Sequence, residues 1–287
     1  MLRFIRIYPV YFVVLILHVP LLLLALRAGK AVDAAAFSSR SFLLSLFMLN
    51  GWGFYGSDGW NLPSWSVSSE WFAYLLFPVS AAMVHRVRTR RVALAMGIAI
   101  LVSAFVLGGY VSHWRQYMLP FWGVLVRVTS EFTLGCLAYR FYTRPIKPAT
   151  AEIAAELSIA AIVAISVMSL RATFNVLTIS AFVTLVVGLS QANGPVGSAM
   201  QSRFMVYLGR ISYSAYIVHA LALGVYARAI QRIPSNAGLV VETAIVVGFV
   251  VLVVGSAHLL YSIVEEPARR WLRAALLHQF VSREAAA

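Results

Sequence analysis

Charged residues are scarce in this chain. Only 11% of its 287 residues are Asp, Glu, Lys or Arg, while 61% are hydrophobic. A soluble domain of this length carries roughly 25% charge. The deficit excludes an ordinary soluble enzyme and points to a polytopic membrane protein. Acids are the scarcest, ten against 23 Lys and Arg, for a net charge of +13. In a soluble chain that excess would suggest nucleic acid. Here the basic residues sit in short loops between apolar runs, where they orient spans, and no nucleic-acid partner is expected. There is one cysteine, Cys136, inside an apolar run. It excludes an intramolecular disulfide, and no Cys/His cluster has metal-ligand spacing. Internal repeats and low-complexity linkers are absent. The first apolar run lacks a small-residue cleavage site, so it reads as a span rather than a cleavable leader.

What is present is a series of long apolar runs. They predict an all-α membrane protein with about eight spans, near 7–27, 65–84, 92–111, 117–139, 152–170, 173–190, 210–230 and 239–263. A ninth apolar piece, 41–50 (SFLLSLFMLN), is too short to cross and reads as re-entrant or interfacial. The membrane domain takes in 1–275, and 276–287 reads as a short cytoplasmic tail. With Arg3 and Arg6 placed in the cytoplasm and the spans alternating, 15 basic residues fall inside and 7 outside (Arg27, Lys30, Arg40, Arg115, Arg171, Arg228, Arg232). Arg127 lies within a span. The bias puts both termini in the cytoplasm, with HRVRTRR, 85–91, as the strongest anchor.

Ionisable groups inside spans are costly and tend to mark function. Glu70 lies about a turn and a half into the second span, behind Trp65, Ser66 and Ser68. Trp suits the interface, and serines ahead of a helix can cap its free N–H groups. Glu70 is then either part of a capped helix start or a carboxylate that positions a hydroxyl-bearing substrate or a base. Arg127 and Glu131 stand i,i+4 and can pair, as a buried structural lock or as ligand contacts. Ser212, Tyr216 and His219 share one helix face, which lines either a cavity or a neighbouring helix. His18 and His258 are the other histidines within spans, and His18 is expected to bond a nearby backbone carbonyl. Glu242 reads as a solvated end group.

Four stretches, in order, resemble the acyltransferase-3 family of integral membrane O-acyltransferases. RFIRIYPVYF, 3–12, is similar to that family's Arg-rich entry into a span. SWSVSSEWFAYLLFP, 64–78, resembles its Trp-Ser-x-Ser-x-Glu signature, and RVTSEFTLGCLAY, 127–139, its Arg-x-x-x-Glu-Phe-x-x-Gly segment. LGRISYSAYIVHALAL, 208–223, and YSIVEEPARRWLR, 261–273, resemble its last two spans, with Ser212, Tyr213, Tyr216, His219, Glu265 and Pro267 as matching positions. The resemblance implies transfer of an acyl group, usually acetyl, from cytoplasmic acyl-CoA to a hydroxyl of an extracytoplasmic carbohydrate at a bacterial cytoplasmic membrane. Acetyl-CoA is then a co-substrate and no bound cofactor is expected. Arg3 and Arg6 suit the donor's phosphates. Trp65, Ser66, Ser68, Arg127, Glu131, Ser212 and Tyr216 are candidate substrate contacts, and Glu70 and His219 candidate catalytic residues. The family's catalytic histidine follows an Arg by eleven residues in a first span. None of the six histidines here has Arg or Lys eleven residues before it. The family also has two spans ahead of the Arg-rich segment, so about two further N-terminal helices are expected upstream of Met1, lost by truncation, gene decay or a mis-assigned start.

Two other classes compete with the enzyme. A transporter or flippase would line its path with Arg127, Glu131 and His219, and a remnant or partner subunit would have no catalysis. Acyl-CoA-dependent labelling of an acceptor separates them. The topology has its own test. A reporter fused after Val87 reads cytoplasmic and one after Ser57 reads extracytoplasmic; the reverse at both sites overturns the eight-span arrangement.

Overall fold

The computed structural model describes residues 2–54, 60–110, 121–142, 146–168, 175–232 and 238–284. Ser57, Arg115, Arg144 and Arg171, used in the topology argument, lie outside them. Among the described residues the regular structure is all helical. The helices are α1 Leu2–Arg27, α2 Ser39–Leu46, α3 Ser64–His85, α4 Arg90–Tyr110, α5 Phe121–Tyr142 and α6 Pro148–Val167. There follow α7 Asn175–Leu189, α8 Pro195–Met200, α9 Arg203–Ile230 and α10 Leu239–Leu260, with a π-helical turn Tyr261–Glu265 leading into α11 Glu266–Glu284. Four stretches are long and apolar enough to cross a membrane: Arg3–Arg27, Ser64–His85, Pro148–Val167 and Leu239–Ala275. The other four expected spans coincide with α4, α5, α7 and α9. Of these, α7 has 15 residues, about 22 Å of rise, and α5 and α9 carry charged side chains.

The chain divides into two compact units. The first comprises Met1–Asn50, Tyr55–Val67 and Tyr207–Ala287, and the second Gly51–Phe54 and Ser68–Val206. In the first unit, α2 is the short apolar piece expected to be re-entrant. Ser38 caps its start, accepting from the Ser41 N–H at 3.2 Å. Its end is closed by a reversal at Met48, which takes φ 54°. The Met48 N–H bonds Ser45 O at 2.9 Å and the Leu49 N–H bonds Leu44 O at 2.7 Å, the Schellman pattern. Glycine normally fills that left-handed position. Met48 is buried there, its packing offsetting a penalty of about 1–2 kcal/mol. Tyr8 and Tyr11 of α1 donate to Leu46 O at 3.1 Å and Ser45 O at 2.7 Å. Tyr11 lies nine residues into α1, ~14 Å along its axis. The C-terminal end of α2 is therefore level with the first half of α1, not with its far end.

In the second unit, α6 and α7 meet through small residues. A Cβ on Gly188 would fall 2.9 Å from Ala151 O and 3.0 Å from Ala155 N, so only glycine allows the close approach. Val84, Val87, Ala93 and Leu137 form a core cluster of α3, α4 and α5, with Cys136 packed against it. Glu152 of α6 is buried, and its carboxylate accepts from the backbone N–H of Gly194 at 2.9 Å and Val196 at 2.5 Å, with Gly197 at 3.3 Å. The start of α8 has no side-chain cap of its own; Glu152 supplies the acceptor from a different helix. Hydrogen bonds to a charged group are each worth roughly 1.5–3 kcal/mol. Glu152→Ala is expected to lower the melting temperature of the detergent-purified protein by several degrees, and Glu152→Gln, which keeps one acceptor, by less. An unchanged melting temperature for both would show that α8 holds without this clamp.

Candidate functional site

The polar side chains of α9 spread to three neighbours within the first unit. Tyr213 donates to Ile7 O of α1 at 2.9 Å. Ser214, fully buried, donates to Glu265 Oε2 at 2.7 Å. Tyr216 meets Ser66 hydroxyl to hydroxyl at 2.5 Å, and Asn61 Nδ2 donates to Ile217 O at 3.3 Å. A one-residue step along a helix rotates the side chain by about 100°, so consecutive polar residues reach different partners. His219 places Nδ1 2.5 Å from Tyr216 O. A carbonyl can only accept, so Nδ1 carries the proton and Nε2 keeps the lone pair. That is the tautomer a general base requires. Ser212, expected on the same stripe, spends its hydroxyl on Gly209 O of its own helix at 2.9 Å.

At the start of α3 the serine hydroxyls bond the preceding loop. Ser64 Oγ accepts from Asn50 Nδ2 at 2.8 Å and Ser66 Oγ donates to Pro63 O at 2.9 Å. Both hydroxyls thus hold the preceding loop. Trp65 is half-buried beside them. Ser68 is fully buried and its Oγ accepts from the Gly51 N–H at 3.0 Å, while Trp52 Nε1 donates to Ser68 O at 3.1 Å; Ser68 organises the 51–54 segment of the second unit. Glu70, also of the second unit, is exposed and accepts from the Tyr74 hydroxyl one turn on. Its carboxylate is turned toward a side chain rather than toward free backbone N–H groups.

Arg127 and Glu131 do pair, Nε to Oε1 at 2.8 Å, but with side chains 44% and 36% exposed. They form the i,i+4 ion pair that their spacing allows, part-exposed rather than sealed between helices. His18 bonds Val14 O at 2.8 Å, as expected, and Glu242 stands exposed in the first turn of α10. His258 bonds the Tyr207 hydroxyl. Arg3 is exposed. Arg6 faces Glu265, Nε to Oε1 at 3.8 Å.

Residues 1–261 match the family model described as an acyltransferase domain. The chain belongs to the acyltransferase-3 family. Among curated proteins, Acyltransferase MdmB of Streptomyces mycarofaciens is 24% identical over 235 residues, which are 75% of this chain and 59% of that protein. The chain thus spans about three-fifths of the length of that relative. No solved structure matches it. Within this family member, sequence reasoning passed over Asn61, Tyr74 and Glu152, and noted Glu265 without assigning it a role. A carboxylate flanked by apolar residues, as in YSIVEEP, was the available signal for Glu265.

Glu70→Gln leaves an acceptor for the Tyr74 hydroxyl, so membrane abundance should not change. If the carboxylate's charge positions a hydroxyl or a base, acyl transfer is lost in that variant. Activity within about twofold of wild type would leave Glu70 as a partner of Tyr74 alone.

Proposed function

We propose that the chain is a membrane O-acyltransferase that moves an acyl group, acetyl in the simplest case, from cytoplasmic acyl-CoA to a hydroxyl of an extracytoplasmic carbohydrate at a bacterial cytoplasmic membrane. The observation that carries this reading is His219, whose Nδ1 is tied to Tyr216 O beside the Tyr216–Ser66 hydroxyl pair. Nε2 takes the proton from the acceptor hydroxyl as its oxygen attacks the thioester carbonyl. Ser66 spends its proton on Pro63 O, so the donor for the oxyanion is the Tyr216 hydroxyl, which turns from Ser66 Oγ to the substrate. Collapse breaks the C–S bond, and the departing thiolate takes the proton back from the imidazolium. Trp65 offers an aromatic face to the sugar. Arg3 and Arg6 serve the donor phosphates. Arg6 reaches α9 at the level of Ser214 through Glu265, and His219 follows Ser214 by five residues, ~7.5 Å along the helix.

The test is turnover by the purified protein with acetyl-CoA and a panel of glycan acceptors. His219→Ala should lower kcat by about 10²–10⁴-fold, and Tyr216→Phe, which loses one hydroxyl, by less. Full activity in His219→Ala removes His219 as the base. No acetyl-CoA-dependent product from the wild-type protein, with any acceptor, removes the acyltransferase reading.

A further inference from the structure

The π-helical turn between α10 and α11 carries Glu265, which is 1% exposed. A buried carboxylate needs charge or hydrogen-bond partners on both oxygens. Oε2 has one, the Ser214 hydroxyl at 2.7 Å. Oε1 is buried without a hydrogen-bond partner, and the cation facing it is Arg6, whose Nε lies 3.8 Å away. That is an ion-pair distance, too long for a hydrogen bond. The next residue shows what a closed pair looks like. Glu266 binds Arg270 Nε at 2.7 Å and also holds Arg269. Both arginines are bonded to Glu266; Arg269 also acts on Glu265 from a distance, but less than Arg6 does.

The pair is asymmetric. Glu265 is sealed among α1, α9 and the π turn, whereas the Arg6 side chain is 39% exposed. A guanidinium presents a planar fork of five N–H donors. Nε faces a fixed carboxylate, while the side chain as a whole stays part-exposed. A planar donor fork held by a buried carboxylate is pre-organised for an oxyanion, phosphate above all. The π turn supplies the register: one extra residue per turn rotates Glu265 toward Ser214 and Arg6, and such turns recur at functional sites.

We propose that Glu265 is a positioning residue: held by Ser214, it orients Arg6 to bind a phosphate of the CoA donor. This rests on the donor assignment made under the proposed function. Glu265 itself touches neither donor nor acceptor.

The test measures binding as well as turnover, with full-length protein in nanodiscs of neutral lipid. Coenzyme A and pantetheine, which shares its thiol arm but lacks its phosphates, are titrated against wild type, Glu265→Gln, Arg6→Ala and the double variant. Glu265→Gln should weaken coenzyme A binding about tenfold and Arg6→Ala at least as much. The double variant should bind no more weakly than Arg6→Ala, because the first change acts only through Arg6. Pantetheine binding should be the same in all four. Ser214→Ala, which frees Glu265 without removing it, should weaken coenzyme A binding in the same direction by a smaller factor, and it serves in place of Glu265→Gln if that variant does not fold. Unchanged coenzyme A affinity in Glu265→Gln and Ser214→Ala, additive losses in the double variant, or equal losses for pantetheine would each overturn the proposal. So would a parallel titration in which the variants lose retention of an anionic phospholipid but not coenzyme A. The binding pattern without acyl transfer would sink the enzymatic reading and keep this one; turnover with KM for acetyl-CoA unmoved by the variants would do the opposite.

Discussion

A helix that ends inside the protein exposes backbone groups that neither lipid nor water can satisfy, and the arrangement of this chain follows from where those groups find partners. Two short helices pose the problem. At the C-terminal end of α2 the Leu46 carbonyl receives the Tyr8 hydroxyl, and the Tyr11 hydroxyl adds a second bond to Ser45 O, which already accepts from the Met48 N–H. At the N-terminal end of α8 the free N–H groups are received by Glu152. In each case a long helix supplies a polar side chain from its own flank. The carboxylate of α6 supplies the cap that α8 lacks, and the tyrosines of α1 anchor the turn that closes α2.

The same requirement makes α9 polar. A helix that carries Tyr213, Ser214, Tyr216 and His219 must bury or pair each one. Its partners are a carbonyl of α1, a carboxylate on the π turn and a serine from the start of α3. These bonds fix the rotation of α9 about its axis more tightly than apolar packing would, because a hydrogen bond is lost over a few tenths of an ångström whereas methyl contacts are not. A fixed rotation in turn fixes the direction of the His219 ring. Chemistry and assembly therefore draw on one set of side chains.

The long apolar helices were legible from hydropathy alone; α8 and α11, the latter running to Glu284 through the piece read as a tail, were not. Every predicted span has a helix, and the piece at 41–50 was correctly judged too short to cross. The family was legible from four ordered stretches. What sequence patterns missed were pairings across long separations. Glu152 sits at the edge of an apolar run and looks solvated; its partners are more than 40 residues away, at Gly194 and Val196. Ser66 and Tyr216 are 150 residues apart. Periodicity reports which residues share a face but not what that face meets, so Ser212 was grouped with Tyr216 and His219 although its hydroxyl turns back on its own helix. The serines that open α3 show the same limit: Ser64 and Ser66 bond the loop that folds back on them, which periodicity does not reveal.

The scarcity of acid gives the excess of arginine its meaning. Glu70, Glu131, Glu152, Glu265 and Glu266 each hold a partner within the chain. Only Glu131, Glu265 and Glu266 among these face an arginine. Ten acids against 23 Lys and Arg leave the molecule with a large surplus of cations. In loops that surplus is orientation. At Arg6 it is something more, because the carboxylate there is buried and approaches from one edge only. A part-exposed cation held at ion-pair distance by a buried anion can still take a second anion, and on the donor reading proposed above that anion is the donor's phosphate.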